Sequence, residues 1–136
     1  TTRRVTDVVR VVDLMPTLLD LLAIPPPLVM AGRSLLPLMT GAVPELGLEG
    51  YAEGMHTLHH YGWSDLRALR AGRYKLIDAP RPELYDLERD PGETTNLFGE
   101  RRQMGDGMVA RLRSLEASFD KTSAATPPAA LMRPTM

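Results

Sequence analysis

All three histidines of this chain fall within one stretch, Met55-His56-Thr57-Leu58-His59-His60-Tyr61-Gly62-Trp63, which also holds the only tryptophan. Imidazoles so close together admit three readings. With Glu53 or Asp65, two of them would form a two-histidine, one-carboxylate set of the kind that holds a transition metal, although the spacing matches no established ligand motif. The stretch also reads as a polar connection between two strands, with Trp63 folded against the sheet. In the third reading His56, His59, His60 and Trp63 line a pocket for a polar substrate, an anionic one included, by hydrogen bonding, charge and stacking.

Other chemistry is sparse. Asp86-Leu-Glu88-Arg-Asp90 alternates oxygen ligands like the start of a calcium loop, but Pro91 stands where the invariant glycine is required and Leu97 where a bidentate glutamate is required. An EF-hand is therefore rejected. Ser34, Ser64, Ser114, Ser118 and Ser123 sit in no Gly-x-Ser-x-Gly elbow, and no glycine-rich phosphate loop is present. Zero cysteines remove disulfides, thiolate metal sites and thiol nucleophiles together. Lys75, within Arg73-Tyr-Lys-Leu-Ile77, reads as a solvated strand lysine.

The elements that must carry the histidine stretch follow from pattern. The 136 residues suit one domain or part of a larger one. A formal charge of −1, with 43% hydrophobic and 24% charged residues, indicates a folded chain without the basic excess that nucleic acid or an anionic membrane attracts. The apolar stretch from Leu14 to Met30 is interrupted by Asp20 and three prolines and is too short for about 30 Å of hydrocarbon. The chain opens Thr-Thr-Arg-Arg, without Met or a leader pattern, and reads as a piece of a longer polypeptide.

Val5 to Val12 is dense in β-branched residues and reads as a short extended segment ending at Asp13. Asp13 is placed to cap a helix carrying Leu14, Leu18, Leu21 and Leu22, with Pro16 in its first turn and Pro25-Pro26-Pro27 ending it. Ser34 and Gly41 bracket a shorter helix as N-cap and left-handed terminator. Strands are expected at Gly50 to Met55, Ser64 to Ala71, Arg73 to Asp78 and Glu83 to Leu87. Gly72 supplies the tight turn between the second and third, and Asp90-Pro91-Gly92 the turn after the fourth. Met104, Met108, Leu112, Leu115 and Phe119 step as one face of a helix. The expected fold is α+β: a small antiparallel sheet of about four strands against a C-terminal amphipathic helix. The division is 1–48, mostly helical and joining a missing domain; 49–121, the sheet and helix; and 122–136, a linker or tail.

Glu83-Leu-Tyr-Asp-Leu-Glu-Arg-Asp-Pro-Gly-Glu-Thr-Thr-Asn-Leu97 resembles a signature near the C-terminus of sulfatases of the alkaline-phosphatase superfamily. Leu66 to Ile77 resembles the hairpin that precedes it, Val12 to Asp20 the helix before that subdomain, and Gly32 to Leu38 the segment between. The resemblance implies the C-terminal subdomain of an enzyme that cleaves sulfate esters with a formylglycine and a calcium ion. Neither group belongs to this stretch: the Cys/Ser-x-Pro-x-Arg motif that yields formylglycine is absent, and so are the calcium-binding motifs. The chain is thus expected to be inactive alone, to contribute stability and one wall of the substrate cleft, and to have the N-terminal catalytic domain and a sulfated small molecule or glycan as partners. The rivals are a phosphonate or phosphodiester hydrolase of the same superfamily, and a non-catalytic binding module.

Overall fold

Four strands pair in sequence order as one antiparallel sheet: β1 (Glu49–Gly54), β2 (Leu66–Ala71), β3 (Tyr74–Asp78) and β4 (Glu83–Asp86). The computed structural model describes residues 4–27, 30–54, 62 and 64–125, with side chains as far as Phe119. Its register sets Tyr51 opposite Leu69, Leu69 opposite Leu76 and Leu76 opposite Leu84. Side chains alternate along a strand, so this row lies on one face. Leu69, Leu76 and Leu84 are fully buried there.

The cover is the helix over Arg102–Ala125. Two shorter helices precede the sheet, α1 (Leu14–Leu21) and α2 (Leu36–Thr40), so the long one is α3. Leu112 is the fully buried contact of α3, with Met108, Val109 and Leu115 around it and Phe98 closing the end of the core. Both ends of the expected stripe are looser: Met104 is 39% exposed and Phe119 48%. Phe119 instead meets the ring of Tyr51 edge-on, centroids 5.4 Å apart. The helix runs past Thr122, where the sequence reads as a tail, to Ala125. Its charged side clamps the sheet edge, Arg111 Nε donating to Glu49 at 2.9 Å.

Gly72 has φ +53° and, with Arg73, forms the two-residue turn between β2 and β3. In the turn after β4 the residue with positive φ is Glu93, at +54°, and not Gly92. The Asp90 carboxylate accepts the amides of Thr94 and Thr95, each at 2.8 Å, which makes the chain reverse beside residue 93.

The valine-rich opening forms no strand. Val8 is buried, but Val9, Val11 and Val12 are half or more exposed, and Val11–Asp13 is a 3-10 turn. Arg10 N donates to Asp13 Oδ2 at 2.9 Å while Asp13 N donates to Arg10 O at 3.0 Å. This side-chain-to-backbone pairing overrides β propensity. It also removes Asp13 from the capping role expected of it, since no side-chain cap bond reaches α1. Among the described residues up to 48, helix is found in the 3-10 turn, α1 and α2, with Pro25, Pro26, Pro27 and Pro44 breaking the pattern between and after them. Gly41 ends α2 at φ +82°, as expected, but the N-cap is Leu35 and not Ser34, whose Oγ still accepts the Leu36 amide at 3.2 Å.

Two glycines on α3 are expected to respond oppositely. A Cβ at Gly105 would stand 2.5 Å from Phe98 Cε2, whereas one at Gly107 would meet nothing within 4 Å. Gly105→Ala should cost about 1 to 3 kcal/mol by overpacking, and Gly107→Ala should gain up to about 1 kcal/mol of helix stability. Leu112→Ala, which empties a fully buried site, should cost about 2 to 5 kcal/mol. Urea unfolding of the three variants beside the parent chain checks all three signs.

Candidate functional site

The histidine stretch is the connection from β1 to β2. Gly54 and Leu66 are partners in the register, so the chain leaves β1 and enters β2 at the same end of the sheet. His56, His59, His60 and Trp63 lie outside the described residues. Their base is described, and it is charged. Arg67 Nε meets Glu116 of α3 at 2.8 Å, and its NH2 meets Asp65 at 2.6 Å. The Tyr51 hydroxyl donates to Glu53 at 2.7 Å and lies 3.4 Å from Glu116. Burial, and then the Glu53 hydrogen bond, push the Tyr51 phenol well above its ordinary pKa, so it remains a donor. Beside this base is a shallow hollow of about 160 Å³ lined by Ser64, Asp65, Arg67, Asp78, Ala79 and Pro80.

Both carboxylates named for a metal site are thus engaged, Glu53 by Tyr51 and Asp65 by Arg67. Most other carboxylates with a fixed position are similarly committed. Asp7 accepts the amides of Val8 and Leu46 at 2.8 and 2.6 Å. Asp13, fully buried, accepts from Arg10 NH2 at 2.7 Å and from the Arg33 amide at 2.9 Å. Burial pushes the Asp13 carboxyl up, but these donors outweigh it and hold it below the usual range. Among the described residues no three His, Cys, Asp or Glu are grouped to hold a metal ion.

The long signature is built the same way. Arg73 grips the buried Asp86 through two nitrogens and reaches Glu88 at 2.7 Å. Asn96 Oδ1 accepts the amides of Leu84 and Phe98 at 3.1 and 2.8 Å, and its Nδ2 donates to Pro82 O at 3.2 Å. The guanidinium groups of Arg73 and Arg101 each lie over the Tyr74 ring, 5.4 and 5.7 Å from its centroid. Lys75 differs from its solvated reading: it is half-buried and holds both oxygens of Glu93, at 2.8 and 2.7 Å. Sequence reasoning missed Arg73 and Asn96. Their signal was present as an arginine in the hairpin turn and an asparagine six residues after Asp90. The polar residues of this signature therefore fix turns and close the sheet.

Comparison with known families matches residues 1–118 to the family described as "N-sulphoglucosamine sulphohydrolase, C-terminal". The chain belongs to this family. It is 31% identical over 137 residues to arylsulfatase K of Rattus norvegicus, covering 89% of this chain and 23% of that protein. It is 32% identical over 124 residues to a Delta 4,5-hexuronate-2-O-sulfatase of Bacteroides thetaiotaomicron, covering 79% and 26%. The chain thus spans about a quarter of the length of these curated relatives. Among solved structures it superposes on a phosphonate monoester hydrolase of Agrobacterium radiobacter with TM-score 0.58 and 29% identity, covering 78% of this chain and 24% of that one. A Bacteroides thetaiotaomicron protein of glycosaminoglycan metabolism shares the fold at TM-score 0.61 and 19% identity, over 77% of this chain and 24% of that one. This sulfatase C-terminal domain has the α+β architecture that its sequence implies.

Its signature makes a prediction about acid. Arg73 beside Asp86 holds that carboxyl below its ordinary range. A depressed carboxyl stabilises the fold above its unfolded pKa, about 3.9, and loses that contribution as pH falls through the lower folded value. Asp86→Asn should therefore lower the thermal midpoint at pH 7 and flatten its decline below about pH 4, where the parent loses the pair. Thermal melts at stepped pH values compare the two slopes.

Proposed function

We propose that this chain forms one wall of the substrate cleft in a sulfatase that cleaves sulfate esters, and that the chain alone is inactive. The observation that carries the reading is the family match over residues 1–118. The two sulfatase relatives support it. Neither formylglycine nor calcium fits the residues present. There is no cysteine and no Cys/Ser-x-Pro-x-Arg motif, and the described carboxylates are largely committed to guanidinium, hydroxyl and amide donors. Both groups are assigned to the catalytic domain, in the remaining three quarters of a polypeptide as long as its relatives.

Within that cleft His56, His59, His60 and Trp63 are assigned to the substrate. A sulfate ester is anionic, and imidazoles present donors to its oxygens without placing a permanent charge there. Trp63 offers a flat face for an aromatic or sugar ring. The likeness to a phosphonate monoester hydrolase at 29% identity favours one second reading, the same scaffold acting on a phosphonate ester.

Three assays test this. The 136-residue chain should release no product from nitrocatechol sulfate or nitrophenyl phosphate above background, and turnover that follows the protein peak would refute its inactivity. The encoded full-length polypeptide should prefer the sulfate ester over a phenyl phosphonate monoester; the opposite preference selects the second reading. In that polypeptide His56→Ala, His59→Ala and His60→Ala should each lower kcat/KM by more than about twofold, roughly 0.4 kcal/mol, at an unchanged thermal midpoint. Efficiency retained in all three would make the stretch a plain connection.

A further inference from the structure

Four cations stand in β2, β3 and the turn between them, and three are matched by carboxylates: Arg67 by Asp65 and Glu116, Arg73 by Asp86 and Glu88, and Lys75 by Glu93. Arg70 is the exception. Among the described residues its exposed guanidinium has no ion-pair or hydrogen-bond partner. It stands directly opposite Lys75, on the sheet face turned away from α3, and like charges set opposite one another across two strands are destabilising. On its other side Gly50 leaves room, since even a Cβ added there would stand 3.7 Å from Arg70 Cβ. A local rule broken without compensation inside the chain marks a place where something else supplies the missing charge.

Arg70 lines an open hollow of about 740 Å³ between the Gly72 turn and the opening segment of the chain, and that segment brings Arg4, a second exposed and unpartnered arginine, into the same lining. The volume is that of a small-molecule site. Its carboxylates are mostly committed: Asp7 accepts the amides of Val8 and Leu46, and Glu88 holds Arg73. Glu45 alone of them has no partner among the described residues, which leaves two open guanidinium groups against one open carboxylate. Val5, Val8 and Leu87 add apolar wall, on which the C–H face of a sugar ring can rest.

We propose that this hollow binds a sulfated oligosaccharide, with Arg70 and Arg4 holding its sulfo groups. A guanidinium offers a planar fork of N–H donors that meets two oxygens of an oxyanion at once, and it keeps its charge throughout the physiological range. The choice of a sulfated sugar rests on the sulfatase reading above, and the formal charge of −1 disfavours nucleic acid as the anion. Leu66 follows the histidine stretch and Arg70 comes four residues later, about 13 Å along β2. A ligand of several rings therefore suits the hollow better than a single sugar.

Binding needs no turnover, so the test is the fluorescence anisotropy of a labelled heparin tetrasaccharide at low salt, with the 136-residue chain and with the encoded full-length polypeptide. Arg70→Gln should weaken binding by about tenfold or more and Arg4→Gln by about threefold, at unchanged thermal midpoints. Arg70→Lys, which keeps the charge without the fork, should fall between Arg70→Gln and the parent. Arg113→Gln removes an arginine of α3 that is equally exposed and unpartnered, and should change binding by less than about twofold. Glu45→Gln, which removes the open carboxylate, should tighten it. Equal losses in Arg70→Gln and Arg113→Gln overturn the proposal in favour of diffuse attraction. Equal affinity for a hyaluronan tetrasaccharide, which carries carboxylates alone, or for inorganic sulfate, which carries no sugar, overturns it too. Binding by the chain that is lost in the full-length polypeptide also overturns it, and assigns Arg70 to a carboxylate elsewhere in that polypeptide. A full-length enzyme that prefers a phosphonate ester yet keeps Arg70-dependent binding removes the sulfatase reading and leaves the site, whereas a sulfatase whose binding ignores Arg70→Gln removes the site alone.

Discussion

One row of side chains organises the molecule: Tyr51, Leu69, Leu76 and Leu84, aligned across four strands and covered by Leu112 of α3. A slip of one residue in β2, β3 or β4 would turn its leucine away from the helix to the opposite face of the sheet. The register is therefore a condition for having a core at all. Everything peripheral follows from holding it, including the two-residue turn at Gly72, the Asn96 clasp on Leu84 and the clamps from α3 to Glu49 and Arg67.

Because the core is small and no disulfide is available, the chain stabilises its turns with carboxylates and amides. Asp13 joins segments twenty residues apart, Asp86 anchors the β2–β3 turn to the end of β4, and Asp90 and Asn96 shape the return toward α3. Each satisfies backbone or guanidinium donors that would otherwise be left unpaired. A stretch rich in acidic residues thus looks like a site of chemistry when it is read linearly, yet in three dimensions its residues are occupied with one another.

This explains what was legible in the sequence. The strands, the hairpin at Gly72, the terminator at Gly41 and the helix through Leu112 follow from local periodicity and turn chemistry, and the structure places each within a few residues of its expected span. The valine run was misread because β propensity is a preference for half-buried pleats, while the contact that decides Val11–Asp13 is the pairing of Arg10 with Asp13. The positive φ at Glu93 depends on what the Asp90 side chain accepts, which composition does not reveal. The candidate site was legible only as residue types, since what the imidazoles face depends on residues far from them in sequence.

The strand order has a consequence for synthesis. Strands β1 to β4 are neighbours both in the chain and in space, so the meander can close without any crossover connection as it leaves the ribosome, but its lid comes last. Until Leu112 has emerged, the leucine row of the sheet has no cover within this chain, and the nascent polypeptide presents a greasy surface flanked by open strand edges. The interval between translating Leu84 and Leu112 is the window in which a chaperone has the most to hold, and a stop codon falling inside it yields a sheet with no lid to receive.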